Sequence, residues 1–139
     1  MLWVSYAILS AIFAALVAIL AKIGLKNVDT TLATTIRAVV MAVFLLGAAL
    51  LLGKLPLLKD VGNQALVFII FSGIAGALSW LFYFLALKNG PVDGVAALDR
   101  LSVVFVVILA ALFLGEAVTL KAVLGLILLV LGALLIVFK

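Results

Sequence analysis

Five stretches, at about 2–21, 32–52, 65–87, 94–114 and 118–138, run almost without interruption through Leu, Val, Ile, Ala and Phe. A helix needs about 20 mainly apolar residues to cross the hydrocarbon of a bilayer. A transmembrane β-strand would show apolar and polar residues in alternation, which these runs lack. Lipid offers nothing to backbone N–H and C=O groups, so each run must satisfy its own by folding as a helix. The sequence therefore predicts an all-α integral membrane protein with five transmembrane helices and short loops, forming one membrane domain over residues 1–139.

Composition agrees and narrows the chemistry. Soluble domains are roughly 45–50% apolar and about a quarter charged; this chain is 71% apolar and 10% charged, with a mean hydropathy of +1.64. It has no cysteine and no histidine, which removes disulfides, thiolate metal sites and the ordinary near-neutral base. No metal, cofactor or catalytic set is expected, and an enzymatic role ranks last. The nine Lys and Arg residues are dispersed, so no patch suited to nucleic acid forms. The start of the chain lacks the charged n-region and cleavage site of a signal peptide, and the first helix is expected to be retained.

Polar or helix-breaking residues separate the runs at Lys22–Thr31, Gly53–Asn63, Lys88–Asp93 and Gly115–Glu116. Five spans place the termini on opposite sides, and basic residues near the span ends set orientation. Lys54, Lys59 and Lys121 fall on the N-terminal side, and Lys22, Lys26, Lys88 and Lys139 on the other. The near-level count names no single orientation unless Arg37 and Arg100 snorkel to the second side, which would then be cytoplasmic.

The run from Phe82 to Pro91, Val95–Leu98, the Phe113–Glu116 segment and the glycines Gly125 and Gly132 resemble the drug/metabolite transporter superfamily, EamA-type. Lys22 at the end of the first span and Arg37 early in the second are placed as that family places them. The resemblance covers nearly the whole chain and implies a half-size, five-helix unit. Such a unit would carry small metabolites or drug-like compounds by alternating access in a prokaryotic inner membrane. It implies a second copy as partner, an antiparallel homodimer being the simplest arrangement around a midplane site, and the level charge count is what dual topology needs. Related multidrug exchangers carry a glutamate in the first helix where this chain has Ser10, Ala11, Phe13 and Ala14, which disfavours that type of proton-for-cation antiport. A lipid-linked flippase or accessory subunit, and a non-transporting membrane scaffold, are the alternatives.

Helical spacing puts Trp3, Tyr6 and Ser10 on one face of the first helix. It puts Ser72, Gly76, Ser79 and Tyr83 on one face of the third, with Trp80 at its margin. Such faces could line a substrate path; small residues also pack helices and aromatic residues also anchor interfaces. Charges inside spans are costly and mark function by default. Arg37 and Asp99 each fall about 7.5 Å inside their spans from the same membrane face, placed to form an ion pair or a coupling group. Ser102 shares the helical face of Asp99. Gly125 and Gly132, seven apart, form a small-residue stripe on the last helix that suits either a homodimer contact or packing within one subunit.

Overall fold

The computed structural model describes residues 2–139, and all secondary structure among them is helical. In chain order these are α1 (Leu2–Gly24), α2 (Thr30–Leu51), a 3₁₀ helix (Leu55–Asp60), α3 (Asn63–Asn89), α4 (Val92–Asp99), α5 (Ser102–Leu109), a π-helical turn (Ala110–Leu114) and α6 (Leu120–Val137). Five spans are long and apolar enough to cross a membrane, and at most 6% of any span is buried within the chain. Their outer faces are thus left to lipid or to another protein, as the apolar runs require.

The helix ends follow from local chemistry. Asp29 caps α2 by accepting a hydrogen bond from the Leu32 N–H at 3.0 Å, and Thr119 caps α6 by accepting from the Ala122 N–H at 3.2 Å. Both satisfy donors that a first helical turn leaves without partners. α2 ends in a Schellman turn: Gly53 N–H donates to the Leu50 carbonyl and Lys54 N–H to the Ala49 carbonyl. That turn needs φ > 0 at its exit residue, where Gly53 sits at +63°. The Thr34 and Thr35 hydroxyls donate to the carbonyls of Thr30 and Thr31 at 2.7 and 2.8 Å, so neither exposes an unbonded hydroxyl hydrogen in the hydrocarbon.

The chain divides into two compact units, Met1–Lys22 with Asn89–Lys139, and Ile23–Lys88. In the first, α4 packs on α6. Gly94 is buried at that contact, where a Cβ would lie 3.2 Å from Pro91 Cγ and 3.9 Å from Val137 Cγ2. Asp93 accepts from the Gly94 N–H and forms an ion pair with Lys139, tying the end of α6 to the start of α4. Lys22 donates from Nζ to the Gly90 carbonyl at 2.8 Å. In the second unit, Leu25, Thr30, Thr34, Phe84 and Leu87 are buried. There Lys88 at the end of α3 reaches the Val28 carbonyl at 3.1 Å.

The fourth span departs from the expected continuous helix. Between α4 and α5 the N–H groups of Leu101, Val103 and Val104 bond to the carbonyls three residues before them. Arg100 and Leu101 hold ψ of −14° and −16°, near the 3₁₀ range rather than the α range. The span therefore tightens at Asp99–Leu101, and closes in a π turn that Gly115 ends at φ +68°.

Candidate functional site

Within the second unit, the residues with chemistry converge on one cluster. Arg37 stands seven residues beyond the first residue of α2, about 10 Å along the helix. Its guanidinium carbon lies 3.6 Å from the centroid of the Trp80 ring and 5.9 Å from that of Phe84. Trp80 meets Tyr83 edge-on at 5.4 Å and Phe84 at 5.9 Å. The cation thus rests on Trp80 with Phe84 beside it, and Tyr83 flanks the indole.

The turned-in face of α3 is set by these rings. Gly76, Trp80, Tyr83, Phe84 and Leu87 are buried or half-buried, whereas Ser72 and Ser79 are exposed. Trp80 is at the middle of this face rather than at its margin. Phe84, only 3% exposed, was not among the expected site residues. Its signal was present in the sequence, since residues 76, 80, 84 and 87 fall within about a quarter of the helical circle.

On α1, Trp3, Tyr6 and Ser10 are exposed, Trp3 at 74% and Tyr6 at 68%. Asp99 and Arg100, in the first unit, are exposed at the tightened turn of the fourth span, and Ser102 follows them, also exposed. On α6 nothing lies within 4 Å of a Cβ built on Gly125 or Gly132. Those glycines make no close approach to this chain's own helices.

The arrangement is electrostatically unusual. A cation held in a span is compensated by aromatic quadrupoles, whose attraction grows as water is excluded. Within Ile23–Lys88 the only acidic residues are Asp29, engaged at the start of α2, and Asp60, which ends the 3₁₀ helix beyond the far end of α2. Asp29, outside the span, has its carboxyl held below the ordinary range, first by the Leu32 N–H and further by nearby Lys88.

The EamA-like transporter family matches residues 1–138. A protein of Sinorhizobium sp, described as an uncharacterized transporter in the cobO 3' region, is 40% identical over 134 residues, covering 96% of this chain and 95% of the relative. That relative is therefore also about one five-helix unit long. No solved structure matches the chain. The family match along nearly the whole length and the 40% identical relative agree with the five membrane-length helices: this chain belongs to the EamA-like transporter family.

Proposed function

We propose that the protein is a carrier that moves small metabolites or drug-like compounds across a prokaryotic inner membrane by alternating access, working as an antiparallel homodimer. The observation that carries this reading is the Arg37–Trp80–Phe84 cluster. A charge inside a hydrocarbon span is retained at considerable cost, and a scaffold held together by apolar faces has no use for it. The five spans act as one domain over residues 1–139, and the second copy completes the pseudo-two-fold arrangement that surrounds a midplane site in such carriers. The open faces of Gly125 and Gly132 support placing the second copy against α6, because a small-residue stripe favours close helix approach. Trp3, Tyr6 and Ser10, turned away from their own chain, lie on a face that a second copy can enclose as part of the path. Asp99, the one acidic residue well inside a span, serves as the coupling group.

Uptake of a pooled metabolite set into proteoliposomes tests the carrier reading, with uptake above empty vesicles expected. Reporter fusions at both termini test the assembly. Each tag found on both sides of the membrane agrees with an inverted pair, and one fixed orientation refutes it.

A further inference from the structure

We infer that the Arg37–Trp80 stack is an anion-recognition element and that the carried solute is an organic monocarboxylate with an apolar or aromatic body; the second half of this inference rests on the carrier reading above. The guanidinium carbon lies 3.6 Å from the centroid of the Trp80 ring, and a guanidinium that rests on a ring by one face keeps its in-plane N–H donors for another partner. A planar fork of donors matches a carboxylate with two parallel hydrogen bonds. Neither carboxylate of the unit serves as its counter-charge, since Asp29 is engaged with Leu32 and Asp60 belongs to the 3₁₀ helix beyond the far end of α2. The aromatic faces offset part of the desolvation of the charge but supply no acceptor. A ligand carboxylate supplies both the counter-charge and the acceptors.

The rest of the solute follows from what surrounds the cation. Arg37 is the only charged residue inside the spans of this unit, Lys88 being bound to the Val28 carbonyl at the end of α3, so each copy's cluster matches one negative charge. The Thr34 and Thr35 hydroxyls already donate to their own backbone, so they have no hydrogen left to give the oxygens of a polyhydroxylated body. The half-buried rings of Trp80 and Tyr83, backed by the buried Phe84, suit an apolar or aromatic one.

Labelled 3-phenylpropanoate is the probe, with 3-phenylpropanamide as the uncharged competitor, on protein purified in a maltoside detergent that carries no phosphate. The acid is expected to bind saturably and the amide to compete at least about tenfold less well. Arg37→Gln should weaken the acid at least about tenfold, with Arg37→Lys, which keeps the charge and reports on folding, falling between. Equal competition by the amide, or unaltered binding by Arg37→Gln, overturns the inference. Displacement of the probe by equimolar phosphatidylglycerol also overturns it, because the anion is then a lipid headgroup. In proteoliposomes, uptake of the acid that fails together with binding in Arg37→Gln supports the whole inference. Binding without uptake of any pooled solute leaves the anion site standing and overturns the carrier reading. Uptake of neutral solutes without binding of the acid overturns the inference alone.

Discussion

Replacing Trp80 with Leu removes the ring on which Arg37 rests, and the structure sets the size of the effect. A guanidinium 3.6 Å from the ring centroid is well inside the ~6 Å reach of a cation–π contact, which is worth about 2 kcal/mol when desolvated. The edge-on contacts of Trp80 with Tyr83 and Phe84 add about 0.5–1.5 kcal/mol each. Trp80→Leu should therefore destabilise by about 3–5 kcal/mol in total, part of it through a cation left on apolar neighbours. In an Arg37→Met background the same change should be milder, giving a coupling of about 1–2 kcal/mol from the double-mutant cycle. Phe84 supplies the control, because its centroid is 5.9 Å from the guanidinium carbon, near the edge of that range, and Arg37–Phe84 coupling should be markedly smaller. The assay is reversible unfolding of the purified protein in mixed micelles. A coupling between Arg37 and Trp80 within error of zero, or equal to that for Phe84, refutes the view that the stack holds the cation in the span.

Further outcomes are expected. Gly125→Ala with Gly132→Ala should reduce crosslinked dimer while leaving helix content and monomer stability unchanged, since an added Cβ at either position meets nothing of its own chain within 4 Å; loss of the monomer fold would assign the stripe to internal packing. Asp99→Asn should abolish proton-driven uptake and retain solute exchange, and unaltered proton-driven uptake would remove Asp99 from coupling. Gly53→Ala, forced to φ +63°, should cost about 1 kcal/mol of unfolding stability. The carboxyl of Asp29, lowered by the Leu32 N–H, contributes stability that is complete above its unfolded pKa of about 3.9 and is lost as pH falls through the lower folded value. Asp29→Asn, which keeps an acceptor, should flatten that part of a pH-stability profile.

The spans and their ends were legible because lipid imposes a simple condition. Every long apolar run must be helical, and Asp29, Gly53 and Thr119 announce the ends by their capping chemistry. Site residues were legible by type but not by partner. Arg37 stood out as a charge in hydrocarbon, placed for an ion pair or a coupling role with Asp99, while the indole of Trp80 was read as the margin of a hydroxyl face. Periodicity places side chains on a helix to within a sector, whereas the contact of Arg37 with the indole depends on how α2 and α3 meet, which no single helix encodes. Ser72 and Ser79 show the same ambiguity. They share a sector with Gly76 and Tyr83 in sequence, but the larger rings turn inward and leave the hydroxyls exposed.

The tightened turn in the fourth span follows a different logic. Asp99 and Arg100 are adjacent, so an α-helix presents them about 100° apart and cannot pair them on one face. Leu101, Val103 and Val104 keep acceptors by bonding three residues back, so the span changes pitch without leaving these N–H groups bare in lipid, where an unmade backbone bond costs several kcal/mol. A proline or glycine break would have removed a donor or loosened the chain. A 3₁₀ passage instead preserves the hydrogen bonds while locally altering the rise and the direction of the side chains. The only acidic residue well inside a span thus sits where the helix can change its winding with its backbone bonds retained. An uninterrupted α-helix from 94 to 114 would keep one rise and one rotation per residue past Asp99, whereas the 3₁₀ passage changes both there.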